Sequence, residues 1–154
     1  MKLLKTGAFC ALLQLCYASA SAQLHPAIKD GDFKKSEIFS DLPSHMNFNM
    51  QAAVPLLQKG IGDAIRLQLS PDFIFTGVVV SKSDVSERRS QTVVIKSTNR
   101  QGAAFTITKM QKSDGSYTYS GRILSLNHSD AYEVVEKGGA FSLEKKPLSD
   151  IVTE

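Results

Sequence analysis

Residues 104–123, AFTITKMQKSDGSYTYSGRI, decide the fold of this chain. Apolar and aromatic residues alternate with polar ones on both sides of Asp114-Gly115. A period of two is typical of half-buried β-strands. Asp-Gly suits the positive φ angles of a tight turn between two such strands. The stretch therefore predicts an antiparallel β-hairpin.

Similar segments continue in both directions. Gly138-Gly139 predicts a second hairpin turn, and the apolar run around Gly77 predicts a central strand with a bulge or a close backbone approach at that glycine. The strand-like segments are residues 65–69, 73–80, 92–97, 104–109, 117–123, 131–135 and 141–143. This order predicts a mainly β fold, an antiparallel meander of about seven strands that forms a barrel or a sandwich.

The alternation also predicts which side chains form the core. We expect one apolar residue or pair from each strand to face inward. The residues expected to be mostly buried are Phe75, Val79, Val94, Ile107, Ile123 and Val134.

Residues 1–22 have the pattern of a secretory signal peptide. Lys2 and Lys5 precede a short apolar run, and Ala20-Ser21-Ala22 matches an A-x-A cleavage site before Gln23. The apolar run is short for a transmembrane helix. The sequence therefore predicts export to the periplasm or the extracellular space, with no transmembrane segment in the mature chain.

Both cysteines, Cys10 and Cys16, lie inside this segment, so the mature chain is predicted to have no disulfide and no thiol nucleophile. The residues before Cys16 loosely resemble the lipobox of bacterial lipoproteins, although Leu15 is larger than the residue that this pattern prefers. Lipidation of Cys16 is therefore the alternative to cleavage.

The mature chain is predicted to be one nearly neutral domain. Removal of two lysines leaves 16 basic and 15 acidic side chains, a net charge of +1. This balance does not favour nucleic-acid binding. The predicted organisation is a signal peptide at 1–22, a lead-in and covering segment at 23–62, and an antiparallel β domain at 63–154. The covering segment is expected to be either a short helix, interrupted by Pro55, or extended chain. The end of the chain is expected to be a helical turn or a last edge strand.

No catalytic or metal-binding pattern stands out. His25, His45 and His128 have no metal-ligand spacing, so the sequence predicts no metal and no cofactor. Ser129 and Asp130 neighbour His128, but such a cluster is typical of a turn. A small secreted hydrolase, with a site assembled from scattered Asp, Glu, Tyr and His side chains, is the catalytic alternative.

The longest polar insertion, residues 81–90, is the candidate binding loop. Arginine and tyrosine are the side chains that most often supply binding hot spots. The candidate binding residues are Arg88, Arg89, Tyr117, Tyr119 and Tyr132, the tyrosines only where they are exposed. A solvated loop and cross-strand packing of the tyrosines are the structural alternatives.

Three segments, residues 119–123, 130–134 and 141–146, together resemble β-rich regions near the N-terminus of secreted bacterial proteases. In those proteins such regions accompany folding or inhibition of the enzyme. The resemblance implies a stand-alone relative of a prodomain. No catalytic domain is expected here, since the chain ends at Glu154 and contains no H-E-x-x-H zinc motif.

The sequence therefore favours an exported, non-catalytic β module that binds a protein, a peptide or a glycan. The hydrolase and a structural envelope protein are the alternatives. A concave pocket with converging polar groups would favour the hydrolase. An exposed sheet edge would favour the binding module.

Overall fold

The computed structural model describes residues 35–71, 73–83 and 89–152, and the predicted signal peptide lies outside them. The described chain is mainly β, as predicted. Its strands are β1 (His45–Asn47), β2 (Ala64–Ser70), β3 (Phe73–Ser83), β4 (Ser90–Ser97), β5 (Ala104–Gln111), β6 (Tyr117–Leu124), β7 (Asp130–Lys137) and β8 (Ala140–Pro147). Its helices are α1 (Met50–Ala53), a 3₁₀ helix (Val54–Gln58) and α2 (Leu148–Val152).

All eight strands form one antiparallel sheet in the order β1-β8-β7-β6-β5-β4-β3-β2. The predicted meander is confirmed, because β2 to β8 each pair with the next strand along the chain. The sheet curls into a half-barrel, which is closer to the barrel alternative than to a sandwich. Cα atoms of the two edge strands, β1 and β2, approach within 8 Å of each other without strand pairing.

Glycines act where the sequence predicts them to act. Gly138 and Gly139 join β7 to β8 with φ angles of +61° and +81°, which side chains with a Cβ rarely adopt. At Gly77, a Cβ would lie 2.4 Å from the carbonyl oxygen of Lys96 on β4. The predicted close backbone approach at Gly77 is therefore confirmed.

The core lies on the inner face of the sheet. Five of the six predicted core residues are buried, and they are Phe75, Val79, Ile107, Ile123 and Val134. The prediction for Val94 is wrong, because Val94 is half-buried on the outer face while its neighbour Val93 is fully buried. Both are β-branched, so the local sequence cannot choose between them. The register of β3 with β4 shifts between Val79 and Ser81, next to the positions at which Val93 faces inward and Val94 faces outward.

The N-terminal covering segment belongs to the fold itself. It combines both predicted conformations, since β1 is extended and pairs with β8, and a four-residue helix and a 3₁₀ helix follow. Phe39 is fully buried, and its ring meets the ring of Tyr132 edge-on with centroids 5.2 Å apart. The sheet therefore extends beyond the predicted domain start at residue 63.

Helix α2 covers part of the outer face. Leu148 and Ile151 are buried there against Ala131 of β7 and Leu124 of β6. This confirms the helical alternative for the end of the chain. Among the described residues, no helix has the length and apolarity needed to cross a membrane.

Candidate partner-binding site between β6 and β7

β6 and β7 pair along less than half of their length. Their register contains only three partner pairs, Arg122 with Glu133, Ile123 with Tyr132, and Leu124 with Ala131. Beyond these pairs β6 stays paired with β5 as far as its first residue, and β7 stays paired with β8 as far as its last. The two strands therefore diverge. We call the space between residues 117–120 of β6 and 135–137 of β7 the β6–β7 opening.

The backbone of β6 presents unpaired groups to this opening. The Lys112 N–H donates to the Ser116 carbonyl at 2.8 Å, so Lys112 and Ser116 form a hydrogen-bonded pair of the β5–β6 hairpin. Because residues of an antiparallel strand bond to their two neighbours in turn, the N–H and C=O groups of Tyr117, Tyr119 and Gly121 point away from β5. Within the described ranges no strand pairs with Tyr117 or Tyr119, which form what we call the β6 edge. Gly121 lies at the closed end of the opening, because the pairing of Arg122 with Glu133 brings Gly121 against Val134.

Apolar contacts fill the inner side of the opening. The Tyr119 ring meets the ring of Phe141 on β8 edge-on, with centroids 6.4 Å apart and an angle of 83° between the planes. A methyl group of Val134 lies 3.0 Å from the position that a Cβ of Gly121 would take. The opening is therefore lined by aromatic and aliphatic groups on the inside.

A polar depression of about 240 Å³ lies on the outer side of the opening. It is lined by Thr106, Thr108, Ser120, Gly121, Arg122, Glu133 and Ile151. The Lys146 ammonium donates to the carboxylate of Glu133. Arg122 stands opposite Glu133, is exposed, and forms no ion pair within the part of the chain that the structure describes.

A second depression, of about 150 Å³, lies at the Tyr117 end of the β6 edge. It is lined by Arg89, Gln91, Lys109, Gln111 and Tyr117, which we call the Tyr117 rim. The Lys109 ammonium lies 3.8 Å from the centre of the Tyr117 ring, in cation–π contact. Arg89 has a φ of +51°, a conformation that costs a residue with a Cβ about 1–2 kcal/mol. Strain of this kind is often found at functional sites.

The predicted binding residues have different fates. Arg89 and Tyr117 line the same rim, and the Tyr117 side chain is exposed. Tyr119 is half-buried beside the opening. Arg88 lies outside the described residues.

The structure removes Tyr132 from the set of exposed binding tyrosines. Tyr132 is fully buried, and its hydroxyl donates to the Pro43 carbonyl. Burial, reinforced by the charge of Asp130, raises the pKa of Tyr132 to about 12. Its position on an alternating strand predicts either packing or exposure, and packing is what occurs.

Sequence reasoning missed a buried polar cluster that holds the N-terminal segment. The Asp130 carboxylate is 4% exposed and accepts the backbone N–H groups of Ile38 at 2.7 Å and Phe39 at 2.9 Å. The Lys145 ammonium donates to the carbonyls of Phe39 and Leu42. A Ser-Asp pair before a strand is typical of a turn, so no local signal distinguishes this role.

Arg100 holds the same segment from another side. Its guanidinium donates to both carboxylate oxygens of Asp41, at 2.8 and 2.5 Å, and to the carbonyl of Ile38 at 3.0 Å. The hydrogen bond from Arg100 lowers the pKa of Asp41. The charges of this cluster are therefore engaged in anchoring backbone.

His128, a candidate for catalysis beside Ser129 and Asp130, contacts another residue. His128 Nδ1 lies 2.8 Å from the hydroxyl of Ser125, within the turn that precedes β7. No group of three or more His, Cys, Asp or Glu side chains that could hold a metal occurs among the described residues.

Comparison with protein-family models, with curated proteins and with solved structures finds no match for this chain. The resemblance to protease N-terminal regions stays a prediction from the sequence.

Proposed function

We propose that this chain is an exported, non-catalytic β module that binds a protein or peptide partner at the β6–β7 opening. The observation that carries the proposal is the unpaired backbone of the β6 edge. Its alternating N–H and C=O groups are complementary to an extended polypeptide, which can add to a sheet edge as a further strand. A glycan has no backbone amides at this spacing, so a polypeptide is favoured over a sugar.

The side chains around the edge support the same proposal. Tyr117, Arg89 and Arg122 are of the types enriched at binding hot spots, and they flank the β6 edge at both ends. The sequence resemblance to protease prodomains agrees with a polypeptide partner, and an enzyme encoded nearby would be the first one to test. The signal-peptide pattern supports a periplasmic or extracellular location for this contact.

The hydrolase alternative has less support. Asp130 and Tyr132, two of the scattered residues that it requires, are buried and bonded to backbone groups of the N-terminal segment. A buried carboxylate that already accepts two amide hydrogens is poorly placed to exchange protons with a substrate.

Site-specific photo-cross-linking in the producing cells tests the proposal. A benzophenone amino acid replaces Tyr117 in one variant and Ile61 in a control variant. Ile61 is 69% exposed and precedes β2 at the far edge of the sheet. We expect a discrete cross-linked protein from position 117 and none from position 61, recovered from the extracytoplasmic fraction.

The candidate loop supplies the second arm of this experiment. Replacement of Arg88 and Arg89 together by Ala should lower the yield of the cross-link at position 117 without lowering the melting temperature, because loop charges contribute little to the fold. Equal cross-linking at positions 117 and 61, or retention of the protein in the cytoplasm, would contradict the proposal.

A further inference from the structure

We infer that the segment bound by the β6 edge is an acidic one, which adds antiparallel to β6 and places a carboxylate side chain against Lys109 and Arg89. This inference rests on the proposed function and specifies the chemistry of its partner. It combines two independent features, the unpaired β6 edge and the cationic Tyr117 rim.

The first step concerns the direction of the added strand. Antiparallel pairs are slightly more stable per residue than parallel pairs, so we expect the added strand to run opposite to β6. Residues directly opposite each other in such a pair place their side chains on the same face, with Cβ atoms about 5 Å apart. The residue opposite Tyr117 therefore projects its side chain to the inner face, where the Tyr117 rim lies.

The second step concerns charge. The Lys109 ammonium already sits over the Tyr117 ring, and Arg89 lines the same depression. No acidic side chain lines it, and neither cation forms an ion pair among the residues that the structure describes. Asp114, in the nearby turn, is bonded to Ser116 instead. A carboxylate opposite Tyr117 would therefore meet two positive charges that form no ion pair with the acidic side chains of the described residues.

The third step concerns the next inward position of the partner. The residue opposite Tyr119 faces the aromatic surface formed by Tyr119 and Phe141. An aliphatic side chain suits this surface, because aromatic and β-branched residues pair favourably across strands. The partner pattern is therefore an aliphatic residue, any polar residue, and then Asp or Glu.

A synthetic peptide serves as the probe. It is acetyl-Val-Ser-Glu-Ser-amide, whose valine and glutamate take the positions opposite Tyr119 and Tyr117. The first control peptide replaces its glutamate by glutamine. A second control carries N-methyl groups on the valine and the glutamate, whose amides face β6, and a third carries them on the two serines, whose amides face away.

Amide NMR spectra and amide hydrogen exchange of the full protein report the binding. We expect shift changes and slower exchange centred on Tyr117 and Tyr119. The glutamate peptide should bind about three- to tenfold more tightly than the glutamine peptide at low salt, and high salt should remove the difference. Methylation of the valine and the glutamate should abolish binding, whereas methylation of the serines should weaken it less.

Charge variants locate the carboxylate. Replacement of Lys109 by Gln should bring the glutamate and glutamine peptides to within about twofold of each other. Replacement of Lys96, a lysine exposed on the outer face of β4, by Gln is the matched control and should leave the preference intact. A glutamine peptide that ends in a free carboxylate is also measured. If it binds as tightly as the glutamate peptide, the site recognises a chain terminus, and the side-chain inference is overturned.

The cellular cross-link separates failure of this inference from failure of the proposed function. Absence of shifts at the β6 edge with peptide at about 5 mM, or equal binding of the peptide methylated on valine and glutamate, would overturn the inferred strand addition at that edge. A cross-link from position 117 that persists in either case would leave the cellular partner in place but bound in another way. Peptide binding without any cellular cross-link would instead contradict the proposed function alone.

Discussion

Replacement of Asp130 by Ala should detach the N-terminal segment from the sheet. The carboxylate accepts two backbone N–H groups, from Ile38 and Phe39, and Phe39 is fully buried. Loss of the acceptor leaves two donors without partners, and each such donor costs about 1–3 kcal/mol when it stays buried. If the structure did not relax, the two unpaired donors would together lower the unfolding free energy by about 2–6 kcal/mol. Local release of the segment limits the loss, so we expect a decrease in unfolding free energy of about 3 kcal/mol.

Urea unfolding followed by circular dichroism measures this change, because the chain contains no tryptophan. Amide exchange at Ile38 and Phe39 should become faster in the same variant. Replacement of Asp150 by Ala is the matched control, since Asp150 is an exposed acid on α2 and should change stability by less than about 0.5 kcal/mol. Asp130→Asn keeps one acceptor oxygen, so its loss of unfolding free energy should lie between the losses of the Asp130→Ala and Asp150→Ala variants. A loss below about 1 kcal/mol for the alanine variant would refute the anchoring role.

Three further predictions concern the core, alkaline pH and export. Replacement of Ile107 by Ala should cost about 2–5 kcal/mol and replacement of Val94 by Ala clearly less, because only Ile107 is fully enclosed; equal losses in urea unfolding would contradict the assigned faces. Burial raises the pKa of Tyr132 to about 12, so ionisation of its hydroxyl disfavours the folded state. The difference in unfolding free energy between the parent protein and the Tyr132→Phe variant should therefore fall by roughly 2 kcal/mol between pH 10 and 12. A constant difference across this range would contradict this prediction. N-terminal sequencing of the exported protein should begin at or near Gln23, whereas a lipid on Cys16 would establish the lipoprotein alternative.

The hairpins could be predicted because their signals are local. Asp114-Gly115 and Gly138-Gly139 restrict the backbone within a few residues, whatever the rest of the chain does. Alternation then assigns the flanking strands, and a meander follows when each strand is joined to the next by a short turn. Gly77 could be recognised as unusual for the same reason, since a glycine within an apolar strand weakens it unless another backbone comes close.

The N-terminal anchoring and the candidate site could not be predicted, because they depend on distant contacts. β1 has only three residues and no β-branched side chain, and its conformation depends on β8. Asp130 has the sequence context of a turn residue, yet its partners lie in the N-terminal segment. The β6–β7 opening is equally hidden, since the sequence of Tyr119 and its neighbours is typical of a strand and does not reveal which neighbour stops pairing.

Because the chain is synthesised from its N-terminus, the contact between its first and last strands affects the order of folding. The backbone of Ile38 and the carboxylate of Asp130 are 92 positions apart, and β1 has no strand partner until β8 exists. The hairpins from β2 to β6 close over short loops and can form early, whereas the long loop is slow to close. A nascent chain that has not yet completed its last hairpin therefore lacks the β8 partner of β1, and Phe39 and Phe48 can contact only the rings of Phe73 and Phe105 on earlier strands. We expect docking of the N-terminal segment to be the last folding step.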